Sequence, residues 1–298
     1  MKRIALFLLV NVAVLIVITA VVHLLGLERY LQPYGITVEG ILAFSAVFGF
    51  GGSLISLFIS KWLAIRSMGI RLINTPRDRI ESQLFDTVAS HAKRLNLGMP
   101  EVGIFDSPVM NAFATGPRRH RALVAVSSAL AESMSPQELE AVLGHEMSHV
   151  ANGDMVTLGL LQGVLNTFVI FLARIVGSAV DGMIGGRRED AESGGLFYFL
   201  IVIVLEIIFG VLATLVVMAF SRRREFRADA GGARLAGSES MILALRVLER
   251  SVAAPLPGQL RAFGIRCEAS RSGVRRLFMS HPPIADRIAA LLRSQPIH

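Results

Sequence analysis

His145-Glu146-Met147-Ser148-His149 sets two imidazoles four residues apart with a carboxylate beside the first. On a helix, positions four apart share a face. Two imidazoles so placed can grip one Zn2+, while Glu146 on the adjoining face reaches a water held by the metal. The five residues alone also fit a charged helix face with two surface histidines. Their surroundings favour the metal. Ser135 suits an N-cap, Pro136 the first helical position, and Glu138 completes a capping box. Asn152-Gly153 supplies the stop, and the small Gly144 precedes the first histidine.

A catalytic zinc site uses three protein ligands and leaves a fourth position for water, so a third side chain must come from elsewhere in the chain. The composition indicates what brings it. Of 298 residues 53% are hydrophobic and the mean hydropathy is +0.57, too apolar for an ordinary soluble domain. Four segments are long enough to cross a bilayer: Ile4–Leu27, Ile41–Ser60, Met155–Val180 and Leu196–Phe220. The first follows Met-Lys-Arg, but its apolar run is too long for a signal peptide, so a retained anchor is expected. With both termini inside, the outer loops near 28–40 and 181–195 hold only Arg29, Arg187 and Arg188 of the 30 lysines and arginines. Most of the basic excess behind the net charge of +7 is then explained by the positive-inside rule, and no nucleic-acid partner is required. The single cysteine, Cys267, excludes an intramolecular disulfide.

This layout predicts where the third ligand lies. His149 stands six residues before the third span and Glu225 five after the fourth. The two spans run antiparallel and return both positions to one cytoplasmic level, each about 8–9 Å beyond its span. Glu225 is the expected ligand. Asp229, one turn on, could fix the tautomer of a ligating imidazole. Taken alone, Glu225 in Ser221-Arg-Arg-Arg-Glu-Phe-Arg-Ala-Asp-Ala230 would read as a carboxylate neutralised by a basic membrane flank.

Residues 61–154 hold the first soluble stretch, with an amphipathic helix ending at Gly98 and three short β-rich segments at 101–107, 109–116 and 121–128, read as a small antiparallel sheet. Capped or terminal helices are expected over 238–250 and 287–294. The chain thus divides into two N-terminal transmembrane helices (1–60), a catalytic stretch with the two histidines (61–154), a transmembrane hairpin (155–220) and a second catalytic stretch with the third ligand (221–298). Arg174 and Glu206 lie roughly 10–15 Å deep in their spans and are expected to pair. The glycines of Phe48-Gly-Phe-Gly-Gly-Ser53 are expected to pack helices.

Gly-His-Glu-Met-Ser-His-Val-Ala-Asn-Gly-Asp (144–154), Ser-Arg-Arg-Arg-Glu-Phe-Arg-Ala-Asp-Ala (221–230), Asn-Ala-Phe-Ala-Thr-Gly (111–116) and Leu-Phe-Met-Ser-His-Pro-Pro-Ile-Ala-Asp-Arg-Ile (277–288) together resemble the HtpX family of bacterial integral-membrane zinc metalloproteases, which is related to the CAAX prenyl proteases. The resemblance spans essentially the whole chain. It implies His145, His149 and Glu225 as ligands of one Zn2+, Glu146 as the catalytic glutamate, and an inner-membrane endopeptidase that acts from the cytosolic face on damaged or misfolded membrane proteins. The related prenyl proteases carry a similar His-Pro motif near their zinc. That makes His281 a candidate oxyanion donor, although Pro282-Pro283 could merely set a turn. Arg287 could support the motif through Glu225 or Asp229. Asn111, Ala112 and Phe113 are candidates for a strand edge that pairs with an extended substrate. Asn111 could equally be a turn residue.

The expected fold is an α-helical membrane protein with four transmembrane helices and a cytosolic α+β, zincin-like metalloprotease domain. Its partners would be polypeptide substrates and the lipid bilayer. Three rivals are weaker. An intramembrane-cleaving protease would not carry Glu138, Glu140 and Asp154 around its motif. A structural zinc site would be closed by a fourth protein ligand. A prenyl-protein protease would have more spans.

Overall fold

The computed structural model describes residues 37–184, 191–252 and 276–294, with isolated positions at 20, 23, 24 and 26. Apart from those isolated positions, the predicted first span lies outside the described residues, as does Cys267. Among these residues, three helices are long and apolar enough to cross a membrane: Val38–Ser67, Asp154–Met183 and Phe197–Ala236. The chain divides into two compact units, Met1–Ile55 with Gly159–Val217, and Ser56–Leu158 with Met218–His298.

The first unit is helical. Most of its described residues come from parts of α1 (Val38–Ser67), α5 (Asp154–Ile184) and α6 (Ala191–Ala236), whose remaining residues belong to the second unit. A Cβ on Gly49 would collide with the backbone of Thr167, so this glycine lets two helices touch, whereas Gly51 and Gly52 meet nothing. Only one of the three glycines of that segment therefore packs. Val38, Ile41, Phe171 and Ile175 form a buried cluster beside it. Arg174 Nη1 donates to Glu206 Oε1 at 2.8 Å, and its guanidinium lies 4.7 Å from the centre of the Phe44 ring. The expected pair thus exists, and an aromatic face covers the cation, which lowers the cost of a charge at that depth.

The second unit is α+β. Asp78 caps α2 (Arg79–Arg94) by accepting from the Glu81 amide at 2.8 Å. This helix ends before Asn96, which adopts φ 53°; an Asn tolerates the left-handed region, so the helix stops short of the expected Gly98. The sheet contains β1 (Arg71–Leu72), β2 (Glu101–Phe105), β3 (Ala112–Thr115) and β4 (Leu123–Ser127), in the order β1-β2-β4-β3. It is mixed, not antiparallel as expected: β2 pairs with β4 in parallel, Glu101 opposite Leu123. Every residue of β4 is buried, as befits a continuous apolar strand covered on both faces. It therefore takes the inside position, and β3 becomes an edge, antiparallel to β4 with Ala112 opposite Val126. The two-residue β1 is too short to show a pattern in the sequence.

Helices α3 (Ser128–Ser133), α4 (Pro136–Asn152), α7 (Ser238–Val252) and α8 (Ile284–Arg293) complete the unit. Leu84, Val124, Leu143, Met147 and Leu245 are fully or almost fully buried in one core, which fixes α4 against both the sheet and α7.

Candidate metal centre

Helix α4 forms as its caps dictate. The Ser135 side chain accepts from the Glu138 amide, Glu138 accepts from the Ser135 amide, and Gly153 closes the helix at φ 68°. Helix α6 then crosses α4 at a contact that only glycine allows. A Cβ on Gly232 would lie 3.1 Å from both the His145 amide nitrogen and the Ala141 carbonyl, and one on Gly231 would overlap Ser148. Gly144 faces the Gly232 Cα at 3.3 Å by the same measure. This approach sets Glu225 and Asp229, two turns and one turn before the crossing, against His145 and His149.

His145 Nε2 and His149 Nε2 are 3.2 Å apart. Glu225 Oε2 lies 3.5 Å from the first and Oε1 3.3 Å from the second. All three residues are buried. Tetrahedral Zn2+ with bonds of about 2.0–2.1 Å holds neighbouring ligand atoms about 3.4 Å apart, so these atoms fit that ion. Their chemistry fits as well. Asp229 Oδ1 is 2.9 Å from His145 Nδ1, and Asp154 Oδ2 is 2.7 Å from His149 Nδ1. A carboxylate only accepts, so each Nδ1 carries a proton. In neutral rings the two Nε2 lone pairs then converge on one point, an arrangement a cation relieves.

Burial opposes a charge on His145, but hydrogen bonds to Asp229 and Glu225 outweigh it and raise its pKa to about 10. Burial likewise opposes a charge on His149, and its bonds to Asp154 and Glu225 raise its pKa. Burial pushes the Glu146 carboxyl above the usual carboxylate range, partly offset by the two histidines. A buried carboxyl poised upward in this way suits a general base.

The outer residues divide cleanly. Arg287 donates to Asp229 through Nε at 2.8 Å and Nη2 at 2.5 Å, while its Nη1 is 3.9 Å from Glu225 Oε2. The structure thus brings it chiefly to Asp229. His281 Nδ1 lies 2.7 Å from Glu225 Oε2, beside the cluster. Sequence reasoning missed Asp154 as a partner of His149. Its signal was its place directly after the left-handed Gly153, where the chain turns back towards the last turn of α4. Arg224 is buried and donates to the Asp154 carbonyl at 3.2 Å, so it braces that turn.

Asp154→Ala should lower zinc affinity about 10–100-fold, the usual effect of losing an outer partner, while Asp154→Asn, which keeps an acceptor oxygen, should lose less. Competition titration against a chromophoric chelator measures both. Equal affinity in the Ala variant would remove Asp154 from the site.

A cavity of about 610 Å³ is lined by His145, Glu146 and His149 together with Asn111, just before the edge strand, and Ala112 and Phe113 on it. The Asn111 amide donates to Ser127 Oγ at 2.9 Å, and its carbonyl accepts from the Ser127 amide at 2.8 Å. Its backbone is thereby fixed to β4 at the head of the strand.

Residues 78–295 match the model of peptidase family M48. A protein of Thiobacillus denitrificans described as a protease HtpX homolog is 53% identical over 98% of this chain and 99% of its own length. The protease HtpX of Thioalkalivibrio sulfidiphilus is 54% identical over 99% of this chain and 100% of its own. Among solved structures the chain is similar to the crystal structure of S. mikatae Ste24p, with a TM-score of 0.61 and 17% identity, covering 98% of this chain and 67% of that one. That last likeness concerns the fold alone.

Proposed function

The chain belongs to peptidase family M48 and, within it, to the HtpX proteases, and from that premise we propose a zinc-dependent endopeptidase of the bacterial inner membrane. It hydrolyses peptide bonds of misfolded or damaged membrane proteins at the cytosolic face, in stress-related quality control. The observation that carries the zinc reading is the convergence of two imidazole nitrogens and one carboxylate at 3.2–3.5 Å, next to a buried glutamate in the same cavity. The catalytic domain is assigned to 61–154 and 221–298, a reading supported by the compact unit that holds every residue of this cluster.

His145, His149 and Glu225 hold the metal. When bound, Zn2+ supplies Lewis acidity that brings the pKa of water towards 7 and polarises the scissile carbonyl. Glu146 takes a proton from the attacking water and delivers it to the leaving amine. His281, whose Nδ1 donates to Glu225, serves the developing oxyanion through Nε2 as an imidazolium, the form in which both ring nitrogens carry a proton. Asp229, held by Arg287, keeps His145 in the tautomer that binds metal. The substrate adds to β3 as an extended strand along Asn111, Ala112 and Phe113, which suits broad sequence tolerance because main-chain bonds carry the recognition.

Removing the metal tests this reading. Chelation should abolish cleavage of a membrane-protein reporter in vesicles, and Zn2+ should restore it. At pH 7 the metal-free His145 is protonated, because its raised pKa of about 10 lies above the solution pH. Zinc uptake must therefore release protons, and zinc affinity must fall as pH falls. Calorimetry in buffers of different ionisation enthalpy measures the protons. Full cleavage in a chelated, zinc-free sample would refute the proposal.

A further inference from the structure

Two large apolar side chains face outward beside the metal centre. Leu277 is 47% exposed and Phe278 44%, although they occupy the turn that leads directly to His281. What fixes this turn is Arg222. Its Nη1 donates to the carbonyls of Leu277 and Met279, each at 2.9 Å, and lies 3.3 Å from that of Arg276. Arg222 stands two residues after Phe220, where the apolar run of α6 ends, about 3 Å further along the helix. The turn is therefore tied to the level at which hydrocarbon gives way to headgroups, a zone roughly 5–8 Å thick on each side of the bilayer.

We propose that Leu277 and Phe278 are seated in the headgroup–acyl boundary of the membrane that α6 crosses, so that the lipid surface itself holds the chain carrying His281. The side-chain pattern fits that occupant. The apolar pair is small, and basic residues stand near it: Arg276 precedes it, Arg222 reaches carbonyls of the turn, and the exposed Arg223 follows Arg222 where the apolar run of α6 ends. Apolar residues rimmed by arginine are what an interface of acyl chains and anionic phosphates selects. A protein partner would call for a broader apolar patch with a polar rim. The carbonyls of the turn also need a donor that does not depend on bulk water, and Arg222 supplies it. Lipid contact on one side and Arg222 on the other would position His281 relative to Glu225, making the bilayer a component of the site's geometry.

This seating rests on the reading of α6 as a span and not on the peptidase chemistry, and its test reads fluorescence rather than cleavage. The chain has one tryptophan, Trp62, which is exposed near the end of α1, where an interfacial aromatic is expected. The full-length protein is reconstituted in vesicles of phosphatidylcholine and phosphatidylglycerol, with or without lipids brominated at shallow or deep acyl positions. In a Trp62→Phe background, Phe278→Trp should give blue-shifted emission that shallow bromines quench strongly, deep bromines weakly and aqueous iodide hardly at all. Emission at the wavelength of water-exposed indole, quenched by iodide and not by bromolipid, would overturn the proposal. So would blue emission quenched by neither, which would mean that protein covers the turn. The unaltered protein is the control: if lipid quenches Trp62 but not the indole at position 278, the proposal alone fails. If lipid quenches neither, the interfacial placement of both helix ends falls, and the proposal with it.

Discussion

Glu146→Gln should retain one zinc per chain and lose cleavage of a membrane-protein reporter by about 10²–10⁴-fold, the span that a positioned general base contributes. Glutamine matches glutamate in shape, so the buried position stays filled and α4 keeps its packing. What changes is the capacity to take a proton. The three atoms that converge on the metal position come from His145, His149 and Glu225, and Glu146 is not among them, so its charge is not needed to hold the ion. Removing a carboxyl that burial drives upward also relieves a desolvation cost, and the variant should melt no lower than the parent. The effect therefore belongs in kcat, with KM nearly unchanged, because β3 and the cavity walls that bind substrate are untouched. Zinc content by atomic absorption and turnover of the reporter separate the two functions. A variant that cleaved at the parental rate would show that another group takes the proton.

Several elements are legible in the sequence because a local signal coincides with a global one. Helix α4 is the plainest case: Ser135, Pro136, Glu138 and Gly153 each state a boundary, and the core residues Leu139, Leu143 and Met147 recur at helical spacing. The hairpin returns Glu225 to the level of the two histidines, and the need for a third ligand points to it, but the contact itself depends on the close α4–α6 approach at Gly144, Gly231 and Gly232. The sheet is less legible. Three short strands in succession suggest a meander, but strand order depends on which strand is buried on both faces. The unbroken Leu-Val-Ala-Val of β4 holds that information without an alternation to display it. Arginines 222 to 224 read in sequence only as a basic flank. In the structure Arg222 binds the turn before His281 and Arg224 the turn after α4, and Arg223 is the exposed one of the three. Nothing in an arginine's identity tells a solvated flank from a donor to distant carbonyls; the distinction lies in what the fold brings within reach. The same holds for Asp154, whose role depends on the direction the chain takes after a left-handed glycine.

Glu225→Ala should cost the protein its zinc and, with it, all cleavage above background. The variant removes one of three donors and leaves two imidazoles whose Nε2 atoms face each other at 3.2 Å. Two neutral donors bind far more weakly than two plus a carboxylate, whose negative charge also offsets the ion's. The loss should exceed the ~10–100-fold expected of an outer partner such as Asp154. It should also exceed that of Asp229→Ala, which frees His145 to rotate but removes no donor. Helical content should persist, since the α4–α6 contact is made by Gly144, Gly231 and Gly232 and not by the carboxylate. Glu225→Asp gives the sharper test: the shorter side chain should recover part of the zinc but little of the activity, because His281, 2.7 Å from Glu225 Oε2, would lose the acceptor that orients it. Zinc per chain after exhaustive dialysis, read beside circular dichroism, decides the matter. Stoichiometric zinc in the alanine variant would remove Glu225 from the ligand set and require another donor within reach of both histidines.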